Sequence, residues 1–339
     1  MLETRRCSDN GPFVQRVPEP LADRLGRQGR GSCCLSNSRE TWAIVFRMTG
    51  VATPNVNEGE NQTFRPPWRD RTELLRYGDL TLTEFFRQLA RYGKGGRIEE
   101  ADGLVLFAGS HSHPNPFRNG AIRLDHRLEA AEALERAKDF FAPYNRSFVF
   151  WVREGDTDLD ELCRASGLQL VEPDGLPELM LEGPPPAVKP LDEGIVVRRA
   201  TELQVRRDYV DVVAEGWGMD GVTTELASDI FFHPDFVADP NVIAFVAYID
   251  GKPASGTMAL LSYGIAVGGQ GATAPWARRR GLAEATYGAC LDVAYNEFGI
   301  RGSVCQSSPS GAGVWGKMGY REFTRFKRYV VRPAPAKWE

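Results

Sequence analysis

The sequence predicts an α/β (α+β) protein made of two tandem copies of one domain, each a mixed, mostly antiparallel sheet flanked by helices. Three observations predict it. The order of elements repeats: in each half a strand pair precedes a long helix, followed by a strand, a short helix and a final strand. The short helices end alike, Leu162-Cys163-Arg164-Ala165-Ser166-Gly167-Leu168 in the first half and Val314-Trp315-Gly316-Lys317-Met318-Gly319-Tyr320 in the second, with glycine suited to a left-handed cap and an apolar residue after it. Between the halves, Gly183-Pro184-Pro185-Pro186-Ala187-Val188-Lys189-Pro190 favours an extended polyproline segment and marks a boundary.

Residues 1–66 contain arginine but no lysine, with Gly, Ser and Pro scattered without period. They are expected to be a disordered, dispensable tail or an over-extended gene start with Met48 as the true first residue. The first domain is assigned to 67–182. Its apolar periodicity predicts a helix over Leu80 to Tyr92, strands at Gly103 to Ala108 and Gly120 to Asp125, and a helix over Leu128 to Phe141. A strand at Ser147 to Val152, a short helix at Asp158 to Ala165 and a strand at Leu176 to Leu181 complete it. After a linker at 183–193, the second domain is assigned to 194–332. It opens with a strand at Ile195 to Arg199 and a helix from Glu202 to Glu215. Strands at Val242 to Ile249 and Thr257 to Leu261 are joined through the hairpin signal Asp250-Gly251. Then come a glycine-rich strand at Ile265 to Thr273, a helix from Gly281 to Phe298, a strand at Ser303 to Gln306, a short helix around Val314 and a strand near Phe326 to Val331.

With 41 basic and 45 acidic residues the net charge is -4, which provides no basic field for nucleic acid. No apolar run approaches the roughly 18 residues of a membrane span. The six cysteines show no disulfide or metal-ligand spacing, and a reducing cytoplasm fits them. Cys163, Cys290 and Cys305 read as small packing groups. His111 and His113, alternate residues on a strand-like stretch, lack a third ligand and read as a solvated loop, so no metal is expected.

The chemistry is concentrated in Pro275-Trp276-Ala277-Arg278-Arg279-Arg280-Gly281-Leu282-Ala283, between a strand and a helix. The first amides of a helix lack internal partners and carry partial positive charge, so a pyrophosphate can dock there. Gly281 and Ala283 keep the approach clear, and Arg278, Arg279 and Arg280 add charge for phosphate oxygens. Arg278, Gly281 and Ala283 match Arg/Gln-x-x-Gly-x-Gly/Ala, and Val314 to Tyr320 resembles the ending Tyr-x-x-x-Gly-Phe. With the order of elements over about 140 residues, this resembles the GNAT superfamily of acyl-CoA-dependent N-acyltransferases.

The resemblance implies acetyl-CoA as cosubstrate, bound by Arg278 to Ala283 and by the amides of Gly271, Ala272 and Thr273, where two strands splay and admit the pantetheine arm. It implies an amine acceptor, on a small molecule or a protein. Gly268, Gly269 and Gly271 suit a bulge or a close backbone approach at that place. The sequence also departs from the pattern. The family's usual acid is tyrosine, and Trp315 stands there; an indole N–H donates a hydrogen bond without releasing its proton near neutral pH. Ser307, Ser308 and Tyr287 are nearby alternatives. No carboxylate lies in Ile265 to Thr273. Glu215, Asp220 and His233 fall in the region that shapes the acceptor pocket, Glu215 beside Gly216-Trp217-Gly218, with His233 also readable as a turn residue. In the first half the equivalent junction, Arg123-Leu124-Asp125-His126-Arg127-Leu128, has no glycine and places Asp125 where it would repel a pyrophosphate, so that copy reads as degenerate. A non-catalytic acyl-CoA-binding or regulatory protein is the alternative that Trp315 and the missing base leave open.

Overall fold

The computed structural model describes residues 70–333 apart from Lys94, 110–117, 218–232 and 309–310. The expected tail, His111, His113 and Asp220 lie outside the described residues, all of which belong to one compact unit.

Helix α1 runs over Arg71–Tyr92, starting well before the expected Leu80 because Asp70 caps it, accepting from the amides of Thr72 (2.9 Å) and Glu73 (3.2 Å). Strands β1 (Arg97–Ala101) and β2 (Leu104–Ala108) form a hairpin through Asp102-Gly103, both at positive φ (52° and 77°). β1, which periodicity missed, is a half-exposed, charged edge strand that buries too little to leave an apolar pattern. Then follow β3 (Asn119–Arg123), α2 (Ala130–Phe141), β4 (Phe148–Arg153), α3 (Thr157–Ala165), β5 (Gln169–Leu170) and β6 (Leu176–Glu182). The second half supplies β7 (Ile195–Arg199), α4 (Leu203–Gly216), α5 (Pro234–Val237), β8 (Val242–Ile249), β9 (Lys252–Ser262), β10 (Ile265–Gly268) and β11 (Ala272–Thr273). It ends with α6 (Leu282–Phe298), β12 (Gly302–Gln306), α7 (Ala312–Lys317) and β13 (Arg321–Val331).

Among the described residues the thirteen strands join one sheet, its main path ordered β1-β2-β3-β4-β13-β6-β12-β10-β9-β8-β7, with β5 beside β13 and β11 beside β9. β3–β4 and β10–β12 are parallel; the other neighbours on this path are antiparallel. The order shows a reciprocal exchange. The last strand of the second half, β13, pairs with β4 of the first (Phe326↔Arg153 to Val331↔Phe148). The last strand of the first half, β6, pairs with β12 of the second (Gly302↔Glu182 to Gln306↔Glu178). The division at 183–193 therefore separates the sequence but not the sheet.

Both faces are covered, so the central strands are apolar on alternate residues in both directions. On one face Val105, Phe107, Trp151, Leu176, Met180 and Phe326 share a core with Phe86 of α1 and with Tyr209, Val213, Met258 and Val304 of the second half. On the other, Leu104, Leu106, Phe148, Phe150, Tyr329 and Val331 pack with Leu134 and Phe141 of α2 and Leu159 and Cys163 of α3. Cys163, Cys290 and Cys305 are buried free thiols.

Candidate functional site

The expected strand from Ile265 to Thr273 is broken. β10 holds both neighbours up to Gly268, which faces Ala259 on β9 and Cys305 on β12. Gly269-Gln270-Gly271 then bulges: Gly269 takes φ 113°, and the Gly271 amide donates to the Gly269 carbonyl at 2.9 Å. β11 rejoins β9 at Ala272↔Gly256 and Thr273↔Ser255 but among the described residues pairs with no other strand, while β12 ends at Gln306. The sheet opens between β11 and β12. The Ala274 amide bonds to the Ala254 carbonyl at 2.9 Å, so ladder alternation turns the Thr273 amide away from β9.

The glycines here have internal causes. The hydroxyl of Tyr287 would lie 1.6 Å from a Cβ on Gly268, and Thr257 Cγ2 2.5 Å from one on Gly271. Close approach is thus made by the protein's own side chains at those two positions, and only Gly269 needs glycine for its dihedral angle.

The phosphate loop follows at once. Pro275–Ala277 form a 3-10 turn, Arg279 takes φ 68° and Gly281 takes φ 76° as the residue before α6. A Cβ on Gly281 would meet nothing within 4 Å, so the backbone angle, more than space, calls for glycine there. Among the described residues no side chain caps the 17-residue α6, and its start lies at an exposed surface bearing three arginines. Their roles differ. Arg278 donates to the carbonyls of Thr273 (3.2 Å) and Gly216 (2.9 Å), tying the end of α4 to β11. Arg280 reaches Asp192 of the linker at 3.4 Å. Arg279 makes no ion pair with a described residue. Leu282 is buried in the core, so it offers the site its amide, not its side chain, and Ala283 is half-buried.

The structure also brings the Glu215-Gly216-Trp217 segment to the opening. A Cβ on Gly216 would lie 2.5 Å from that of Ala272, and Trp217 Nε1 donates to the Gly271 carbonyl at 3.3 Å. Glu215 is exposed beside them. His233 is apart from this arrangement: its Nδ1 accepts from the Asp235 amide and caps α5. On the β12 side, Ser307 is buried and donates to the Ser308 carbonyl at 3.0 Å, and Ser308 is exposed. Trp315 is buried edge-on against Tyr287 (5.0 Å) and Tyr320 (5.1 Å). Tyr320 donates to Ser303 Oγ at 2.6 Å, and the Tyr287 and Ser303 hydroxyls are 2.8 Å apart. Burial pushes both phenols well above the usual tyrosine range, so both keep their protons at neutral pH.

A polar group that periodicity missed lies across β12 from this opening. Glu178 of β6 is fully buried; its Oε2 accepts from Arg153 at 3.2 Å and its Oε1 from Gln306 Nε2 at 2.9 Å. Arg153 also bonds Asp79 of α1. The signal was present: Glu178 stands at the core phase between Leu176 and Met180, where a lone carboxylate requires partners.

The first-half junction is built differently. β3 pairs with β2 over all five residues without a bulge. Arg123, its last residue, is buried with its guanidinium bonded to Asp156, to Asp158 (2.5 Å and 3.0 Å) and to the Leu128 carbonyl (2.9 Å). The Arg127 guanidinium holds the Asp125 carboxyl down at about 2, so it is an anion at any ordinary pH. His126, Asp156 and Asp158 bring potential metal-ligand atoms within 4.8 Å of one another, but Arg123 already supplies the cation between the two carboxylates.

Solved structures with this architecture include GCN5-related N-acetyltransferases. One from Kribbella flavida superposes with a TM-score of 0.57 at 18% identity, covering 77% of this chain and 95% of its own. One from Sphaerobacter thermophilus gives 0.52 at 18%, covering 70% and 83%. A tandem GNAT protein from the clavulanic acid biosynthesis pathway gives 0.53 at 15%, covering 76% and 97%. The chain has the GNAT fold. No protein-family model and no curated protein matches the sequence. Within this GNAT architecture, the bulged β10–β11 and the glycine-led α6 are the strand-to-helix junction on which the sequence motif falls. Among the described residues no helix is long and apolar enough to cross a membrane.

Proposed function

We propose that the chain is an N-acetyltransferase that takes acetyl-CoA in its second half and transfers the acetyl group to an amine. The observation that carries this reading is the uncapped, glycine-led N-terminus of α6 lying directly beyond the point where β11 and β12 part. The pyrophosphate is assigned to the amides of Gly281, Leu282 and Ala283, with Arg279 and Arg280 as phosphate partners. Arg278 acts by holding the loop and α4 together. The pantetheine arm enters the opening along β11; of the three expected contacts the Gly271 amide is taken by the Gly269 carbonyl and the Ala272 amide faces β9, so the Thr273 amide, turned from β9, is the one proposed to polarise the thioester carbonyl.

In the reaction the amine nitrogen attacks the carbonyl carbon. The C–N bond forms, the C–S bond breaks, the nitrogen gives up one proton and the departing thiolate gains one. Glu215, exposed beside β11, is the proposed proton acceptor. Trp315 cannot supply the proton to sulfur, and Ser307, Ser308 and Tyr287 remain the proposed donors. The acceptor is a small-molecule or protein amine, and a cytoplasmic setting belongs to the same reading. The second reading, an acyl-CoA-binding protein without turnover, rests on Trp315. Calorimetry with acetyl-CoA on the whole chain tests the site: saturable binding supports it, and no binding overturns it. Thiol release against an amine panel then separates enzyme from sensor.

A further inference from the structure

We infer that Gln306 orients the attacking amine through its side-chain carbonyl, and that Glu178, contributed by the first half, is the positioning residue that fixes it. The inference rests on the acyltransferase reading above and names what that reading lacks, a group that holds the acceptor.

Gln306 is the last residue of β12 and the first beyond the pairing with β10. It stands at the mouth of the opening, its backbone carbonyl 3.4 Å from where a Cβ on Gly269 would be. Its side chain is half-buried, neither sealed in the core nor free in solvent. β6 lies on one side of β12, and the opening lies on the other. Glu178 is opposite Gln306 on β6, and both its oxygens act as acceptors, one for Arg153 and one for Gln306. The amide nitrogen of Gln306 therefore faces Glu178, and its carbonyl oxygen is turned away from Glu178. Among the described residues that oxygen accepts from no donor. An amine attacking the thioester keeps one N–H while its lone pair points at the carbonyl carbon; that N–H is the partner the oxygen fits.

Glu178 is itself held. Arg153 is clamped between it and Asp79, and α1 lies so close that a Cβ on Gly78 would be 2.8 Å from Glu178 Oε2. Burial pushes the Glu178 carboxyl up and Arg153 pulls it down, with burial the larger influence. With Arg153 and Gln306 each donating to one of its oxygens, Glu178 fixes Gln306 as the carboxylate. The exchanged strand β6 thus gives the first half a part in the reaction although its own junction is closed.

The test uses the whole chain with n-butylamine as acceptor. Gln306→Leu removes the carbonyl at similar volume. Glu178→Gln turns its carbonyl to Arg153 and its amide nitrogen to Gln306, which reverses Gln306 and takes its carbonyl from the amine. Both variants are expected to lose at least tenfold in kcat/KM for n-butylamine, read as thiol release, while the Kd for acetyl-CoA stays within twofold. For Gln306→Leu the melting temperature should hardly change, so it remains informative if Glu178→Gln fails to fold. The inference is overturned if Gln306→Leu keeps the amine kcat/KM within twofold, if acetyl-CoA affinity falls in step with it, or if the parent binds acetyl-CoA yet transfers nothing to n-butylamine. Failure of the parent to bind acetyl-CoA at all would instead sink the acyltransferase reading.

Discussion

The two strand-to-helix junctions of this chain start from the same geometry and end with opposite electrostatics. In each, a strand paired in parallel with its neighbour runs into a turn and then a helix. At the second junction a bulge detaches the strand, two left-handed residues lead into the helix, and the surface is cationic. At the first, the strand stays paired to its end, Glu132 lies in the first turn of α2, and a buried arginine is spent on two aspartates. The difference teaches that the two junctions part by more than a glycine: the second is exposed and cationic, and the first is plugged by the ion pair of buried Arg123 with Asp156 and Asp158, whose removal would leave a buried charge.

The largest expected effect follows from that plug. Arg123→Met should lower stability by about 3–5 kcal/mol in urea unfolding, because Asp156 is left buried without its cation. Acetyl-CoA affinity should not change while the protein stays folded. The sign with pH is fixed. Burial already pushes the Asp156 carboxyl up, and without Arg123 it rises further above its unfolded value. A raised carboxyl loses stability as pH rises through its folded value, so the deficit of Arg123→Met against the parent should shrink between pH 7 and pH 4. A deficit that grows on acidification would show that the ion pair is not what fills the first junction.

At the second junction Gly281→Glu should weaken acetyl-CoA binding at least tenfold by calorimetry, through loss of at least one charge-assisted hydrogen bond of about 1.5–3 kcal/mol. Because Gly281 sits at φ 76°, the substitution also strains the backbone by about 1–2 kcal/mol. Gly281→Asn, which tolerates that region better, separates the two effects and should keep most of the binding. If Gly281→Glu binds as well as the parent while folded, the comparison of the junctions loses its basis.

Arg278→Ala comes next. It removes the bonds to Thr273 and Gly216, both at an exposed site, so the cost to stability should stay near 1 kcal/mol while amine kcat/KM falls several-fold as α4 loosens from β11. Equal loss of acetyl-CoA affinity and amine kcat/KM would instead place Arg278 on the phosphates. The smallest effect is expected for Trp315→Tyr, a rise in kcat of a few-fold at saturating substrates if proton delivery to sulfur limits turnover. An unchanged kcat would show that the departing thiolate needs no protein acid.

Much of this was legible in the residues. The periodicities of Val242–Ile249 and Ile195–Arg199 matched their strands, and Asp250-Gly251 marked a hairpin that forms with both residues at positive φ. The equivalent Asp102-Gly103 carried the same signal before β2 and was passed over because β1 buries so little. Asp70 with Glu73 three residues on is a capping pair that announced the start of α1, while the polar first turns hid it from the apolar pattern. The site divided in the same way. Gly281 before an apolar helix is a local statement and could be read directly. Gln306 and Glu178 are 128 residues apart, and nothing local joins them.

What the sequence determined by itself is therefore what neighbours along the chain decide: where strands and helices lie, that the pattern occurs twice, and that one helix start is led by arginines and a glycine and the other by Asp125 without a glycine. The tertiary structure alone decided that β6 and β13 change places, that Arg123 finds Asp156 and Asp158, that Arg278 serves as a clamp, and that a first-half glutamate bonds the last residue of β12. The reason is physical. Dihedral preference and apolar period act over a few residues, and any strand with both faces apolar satisfies them beside many partners. Which strand it meets, and which buried charge then needs which partner, is set by closing a single sheet over two cores, where a buried charge such as Glu178 or Arg123 must find its partner.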